Sequence, residues 1–252
     1  MTRSTEYRSL LQSLGRDSWD GFLIAESALP GARANLELAQ AAADVGDEPQ
    51  FQRWLELGPD QASDDSAQLI LPICGAIGLG RLVADGRSNF LPRLRQAAND
   101  PRWRVREAVV LGLQRWGDRD LPSLVASMFE WVQGGFLEQR AAVAVLCEPR
   151  LLRDASIATR VLALLEQATE SIERATDRRD PDLRVLRQAL GYCWSVLIAA
   201  LPVEGKRAFE RLVGVSDPDV QWMVRENLKK ARLRRMDAAW INRLTAQVAR
   251  TP

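Results

Sequence analysis

Trp103-Arg104-Val105-Arg106-Glu107 stands just after the Asp100-Pro101 step, and 119 residues later Trp222-Met223-Val224-Arg225-Glu226 stands just after Asp217-Pro218. Repetition of this kind constrains a fold more than any bulk property, because it is the signature of stacked structural units. Two weaker copies lie between, FLEQRAAVAVLCEP from Phe136 and DPDLRVLRQALGYCW from Asp180. Aligning them brings Arg106, Arg140, Arg187 and Arg225 into register at spacings of 34, 47 and 38, with Ala108, Ala142, Ala189 or Asn227 two positions on.

The segment 90–118 shows what one unit is. An apolar-periodic helix runs into an Asn-Asp-Pro turn, and a second helix closes near Gly117. Asp100 is placed to cap that helix and Pro101 to occupy its first position, where a missing N–H costs nothing. Val105, Ala108, Val109, Gly112, Leu113 and Trp116 recur at 3-4 spacing and form its core stripe. Small Ala108 and Gly112 permit close helix approach. No stretch shows the alternation of a strand.

An Asp-Pro turn followed by Val-Arg and then a small residue resembles the HEAT repeat, most clearly over 88–235. The resemblance implies an all-α fold, a right-handed α-α superhelix (solenoid) of about six helical hairpins spanning 1–252 as one array. It also implies that the second helix of each hairpin lines the concave, binding face. Fainter hairpin elements fall at 18–28 and 32–45, joined by Pro30-Gly31, and at 48–57 and 65–84, with a turn-rich loop at 58–66. Residues 237–249 are expected to form the capping helix that an end repeat needs. The stretch ERATDRRDPD before the Asp180 copy is expected to be an extended loop.

The chain has no histidine, which removes Ser-His-Asp and Cys-His catalysis, His-ligated metals and imidazole acid-base chemistry. GAIGLG at 75–80 lacks the strand and the Lys-Ser/Thr of a phosphate loop and reads as helix packing. Asp60, Asp64 and Asp65 lack the ligand spacing of an EF-hand and read as a solvated loop. No catalytic residue, metal site or cofactor is expected. The three cysteines have no paired spacing and read as reduced core residues, and the apolar runs near 66–84 and 189–202 read as buried helices rather than membrane spans. A cytoplasmic location follows from that reading. The 31 arginines against three lysines, with abundant alanine, point to a GC-rich, bacterial genome.

Net charge is +1, but residues 1–100 hold 9 basic and 14 acidic side chains while 101–252 hold 25 and 19. An anionic partner is therefore expected on the C-terminal half. There RENLKKARLRR, 225–235, carries six cations against Glu226. On a continuous helix Trp222, Arg225, Lys229 and Arg232 share one face, while Val220, Val224, Leu228 and Ala231 pack inward. The recurrent arginines have a structural reading, pairing with turn acids such as Asp100, Asp180 and Asp217. Trp54, Trp116, Trp131, Trp194 and Trp240 read as packing residues.

The function expected is a non-enzymatic scaffold that offers a concave, partly basic surface to a protein partner. Its binding residues are Trp222, Arg225, Lys229, Arg232, Trp103 and Arg106. Nucleic acid is the other candidate partner, through the C-terminal basic helix. The HEAT-like alkylpurine DNA glycosylases resemble the chain at the level of fold. They place an acidic residue, an arginine and tryptophans in a cleft, and no residue of that set is matched to a position here.

Overall fold

The computed structural model describes residues 3–249, and every regular element among them is a helix, with no strand. The chain divides into two compact units, the first ending at Asp120 and the second beginning at Leu121.

The first unit contains α1 (Arg3–Ser13), α2 (Trp19–Ala25), α3 (Leu36–Val45), α4 (Glu48–Leu55), α5 (Ile70–Ala84), α6 (Leu91–Ala97) and α7 (Trp103–Gly117). Asn35 and Asp47 start α3 and α4 by accepting the backbone N–H of Leu38 and Gln50, each at 3.1 Å. These side chains satisfy donors that a helix N-terminus leaves open. The core is built on α5, which packs against α3, α4 and α7. The segment Ala67–Ala84 is long and apolar enough to cross a bilayer by length and composition, but 78% of it is buried inside the protein. At the α5–α7 crossing Gly80 and Gly112 face each other so closely that a Cβ on Gly80 would sit 2.3 Å from the Gly112 backbone.

Helix α7 begins at Trp103, two residues later than the Asp-Pro step predicts. Asp100 does not cap it. Arg102 is buried, and a buried guanidinium must be paired; it takes the Asp100 carboxylate at 2.7–2.8 Å and the Ala62 carbonyl at 2.9 Å. Asp100 still accepts the Arg102 backbone N–H at 2.8 Å in the turn before the helix, and serves as counter-ion of the same core arginine.

The second unit contains α8 (Leu121–Trp131), α9 (Phe136–Leu146), α10 (Ala155–Glu173), α11 (Pro181–Ala200), α12 (Pro202–Val213), α13 (Pro218–Leu228), α14 (Ala231–Met236) and α15 (Ala238–Val248). Here the Asp-Pro signal behaves as expected. Asp180 and Asp217 accept N–H groups of the first turns of α11 and α13, with Pro181 and Pro218 at the first helical positions. Asp154 and Asp237 cap α10 and α15. Within each unit the alternate helices touch in succession, α3 to α5 to α7 and α9 to α11 to α13 to α15. Trp194, Phe209 and Trp240 join α11, α12 and α15 as an aromatic run with ring centroids 5.9 and 6.1 Å apart.

The basic run 225–235 is not one helix. Helix α13 stops at Leu228, Lys230 is extended (φ −74°, ψ 123°), and α14 starts in a new direction. Leu228 and Leu233 are both buried, yet five residues place them about 140° apart on a continuous helix. Breaking the helix lets both reach the core. Ala231, expected to face inward, is exposed.

Candidate binding surfaces

In the first unit, Trp103 opens α7 and is 48% exposed. It borders a groove of about 740 Å³ whose apolar surface comes from Leu36 at the start of α3, Ile73 of α5, and Ala108 and Leu111 of α7. Leu36 is 44% exposed, so an aromatic and an aliphatic side chain face solvent together. The rim carries both signs, with Arg3, Arg33 and Arg104 beside Glu37 and Glu107. Arg104 lies over the Trp103 ring at 4.4 Å and donates to the Gly31 carbonyl at 3.1 Å. It thereby fixes the groove's edge to the loop before α3. Arg106 turns away, donating to the backbone carbonyls of Asp100 and Pro101 at 2.6 and 2.8 Å. Its work is to close the turn before α7.

In the second unit the remaining expected residues separate. Trp222 packs its ring against Gly191 of α11, with the Arg187 guanidinium 4.4 Å from its centroid. Arg187 pairs with Asp219, and Arg178 bridges Asp217 at 2.5 Å and Asp219 at 3.2 Å. Of the recurrent arginines, Arg187 pairs with an acid, Asp219 in the first turn of α13, whereas Arg106 bonds the carbonyls of its own turn and Arg225 makes no ion pair among the described residues. Arg225 and Lys229 border a groove against α15. Arg232 turns to α11, where it lies 4.7 Å from the Tyr192 ring and donates to the Tyr192 hydroxyl. Tyr192, 45% exposed, was not anticipated. Its signal was present, because Leu183, Leu186, Leu190, Cys193 and Leu197 form the buried stripe of α11 and position 192 falls outside it.

Trp54, Trp116, Trp131, Trp194 and Trp240 are buried, as their stripes predict. Two of them anchor carboxylates. Asp20 of α2 accepts two hydrogen bonds from Arg53 (2.7 and 2.9 Å) and one from the Trp54 indole (2.8 Å). Glu210 of α12 accepts from the Trp240 indole (2.8 Å) and Arg243 (2.7 Å). Arg53 chiefly, with the Trp54 N–H, holds Asp20 below the usual carboxylate range against the opposing effect of burial. The Trp240 N–H chiefly, with Arg243, does the same for Glu210.

A carboxylate whose native pKa is depressed adds stability that is full above the unfolded value, about 4, and is lost as pH falls through the lower native value. The double variant Asp20→Asn, Glu210→Gln is accordingly expected to be less stable than wild type at pH 7 and to lose less between pH 4 and pH 2. Urea unfolding across that range measures it, and parallel acid limbs would refute it.

Among the described residues no group of three or more Cys, Asp or Glu is placed to hold a metal ion. The three cysteines are buried thiols, and burial pushes Cys74 well above the usual thiol range. Asp64 of the acidic loop lies 3.7 Å from Arg104. The described residues form an all-helical protein, with grooves at Trp103 and at Arg225 among its surface concavities. No family model matches it, and neither the curated proteins nor the solved structures searched contain a match.

Proposed function

We propose that this chain is a non-enzymatic binding module of the HEAT type, a right-handed stack of about six helical hairpins that holds a protein partner on a concave, partly basic surface. The motif recurring 119 residues apart and the succession of touching alternate helices within each unit support the stack. One observation carries the function: Trp103 and Leu36 stand exposed at a preformed groove whose rim offers charges of both signs. An exposed aromatic beside an apolar pocket is the composition of an interface anchor. Buried free thiols and a most-apolar helix spent on the core support a cytoplasmic location.

The DNA-binding or DNA-repair alternative draws on the cations of 225–235. Base excision of the resembling kind needs a carboxylate open to substrate beside a tryptophan. Asp219, three residues before Trp222, is held by two guanidinium groups, and the carboxylates beside Trp54 and Trp240 are held by Arg53 and Arg243. Glu37 and Glu107 do line the Trp103 groove, so the preference for the protein-binding reading rests on the exposed Trp103 and Leu36 pair and not on a lack of carboxylates there.

Wild type and Trp103→Ala, used as baits in the same native lysate, test it. The expected result is a polypeptide retained by wild type and at least about 10-fold less by the variant, whose stability stays within about 0.5 kcal/mol of wild type. Equal retention by both baits, or none by either, would sink the proposal.

A further inference from the structure

The cations around the α13–α14 break are not accounted for by internal pairing. Six basic residues fall between 225 and 235 against one acid. Lys229 pairs with that acid, Glu226, and Arg232 is committed to Tyr192, with Lys230 at 5.9 Å from the same ring. The guanidinium groups of Arg225, Arg234 and Arg235 make no ion pair or hydrogen bond among the described residues. Elsewhere in this unit Arg174, Arg178, Arg187, Arg211 and Arg243 are each ion-paired, and those that are not, such as Arg153, Arg184 and Arg207, stand outside any run of six cations. Clustering like charges raises the energy of the free protein, and an anionic counterpart removes that cost.

These cations border a concavity with an apolar bottom. A groove of about 510 Å³ has Arg225, Lys229 and Arg234 on its rim and Leu228 and Val248 below them, with Thr245 at its side. Phosphate chains call for cations, but single-stranded bases also call for flat aromatic platforms. The aromatics nearby are engaged, Tyr192 by Arg232 and Trp222 by Arg187 and Gly191. An aliphatic pocket inside a cationic rim instead matches an apolar side chain flanked by carboxylates, the pattern of an amphipathic acidic segment laid in a groove. We propose that the α13–α15 groove docks an acidic polypeptide segment, seating an aliphatic side chain over Leu228 and Val248 and its carboxylates on Arg225 and Arg234. This is a second surface, in a different unit from the Trp103 groove, and stands or falls apart from it.

The test uses the full chain and a fluorescein-labelled synthetic peptide of Glu, Leu and Ala with leucines at helical spacing, read by anisotropy at fixed ionic strength. The companions are the same peptide with Leu replaced by Ser, and single-stranded and duplex oligonucleotides. Arg225→Glu/Arg234→Glu is compared with the charge-matched Arg153→Glu/Arg179→Glu, all four arginines being exposed, after circular dichroism shows both folded. The expected result is binding that falls at least about 10-fold in the first double variant, stays within about 2-fold in the second, and falls when the leucines are removed. Trp103→Ala is expected to bind the peptide as wild type does, which separates this proposal from the preceding one. The proposal is overturned by absence of peptide binding, by equal loss in the two double variants, or by indifference to the leucines. Tighter binding of an oligonucleotide that is lost in Arg225→Glu/Arg234→Glu would likewise overturn it and assign the groove to nucleic acid.

Discussion

Gly80→Val is expected to cost about 3 kcal/mol of stability, the upper end of what overpacking a core costs. The reason is the identity of the atoms in the way. A Cβ at position 80 would meet the carbonyl carbon, Cα and oxygen of Gly112 at 2.3–2.5 Å, and a Cβ at 112 would meet the Ala76 carbonyl at 2.8 Å. These are backbone atoms of α7 and α5, so no side chain can swing aside and the helices must part along their contact. Separation would loosen the packing of Ile77, Val109 and Leu113, all fully buried. Gly21→Ala, with nothing within 4 Å of its Cβ on α2, is the control. It is expected to be neutral or to stabilise by up to about 1 kcal/mol, the helix-propensity gain over glycine. Urea unfolding of both variants decides the matter, and a loss below about 1 kcal/mol at position 80 would mean the helices are not in backbone contact.

The second large effect is expected at Asn227. Its side chain is fully buried between α13 and α11, accepting from the Ser195 N–H at 2.8 Å and donating to the carbonyls of Leu190 (2.9 Å) and Met223 (2.8 Å). Asn227→Ala removes these bonds at once and leaves polar backbone of α11 short of partners in a dry contact, a loss of about 3 kcal/mol. Asn227→Asp, equal in size, is expected to be worse at pH 7, because a carboxylate oxygen would replace the amide donor facing two carbonyls. Protonation supplies a donor again, so the gap between Asn227→Asp and wild type should narrow as pH is lowered. Guanidinium unfolding at pH 7 and pH 5 measures this; an alanine variant as stable as wild type would remove Asn227 from the α11–α13 contact.

Asn227 also shows where reading by pattern stops. Aligned with Ala108, Ala142 and Ala189, it occupies a position at which the repeat places a small residue. Alignment marks the position as packed but does not reveal that a polar side chain there will bond the neighbouring helix. The Asp-Pro step fails in a comparable way at Asp100. Like Asp180, Asp100 accepts the N–H two residues on, but its carboxylate is also claimed by the buried Arg102 guanidinium, which reaches the Ala62 carbonyl 40 residues away, and the helix starts later.

The binding residues divide along the same line. Trp103 and Trp222 occupy equivalent motif positions, yet Trp103 borders an open groove while Trp222 lies under Arg187. The difference comes from their neighbours on other helices. The break after Leu228 was equally hidden, since RENLKKARLRR contains neither Gly nor Pro and every residue in it tolerates a helix. What stops the helix is the demand of Leu228 and Leu233 for the same core.

Periodicity, which acts within one or two helical turns, was enough to read from the sequence that this protein is helical and that a helix lies within 237–249, whose cap, Asp237, the structure supplied. The glycines of GAIGLG were legible as packing residues for the same reason, and the absence of histidine removed whole classes of catalysis. Contacts between residues far apart in the chain decided the rest: that Arg102 reaches the Ala62 carbonyl, that Asn227 grips α11, that Arg232 lies on Tyr192, and that grooves open at Trp103 and at Arg225. Such contacts depend on which helix faces are brought together, and that is set by the packing of the whole unit rather than by any local stretch of chain.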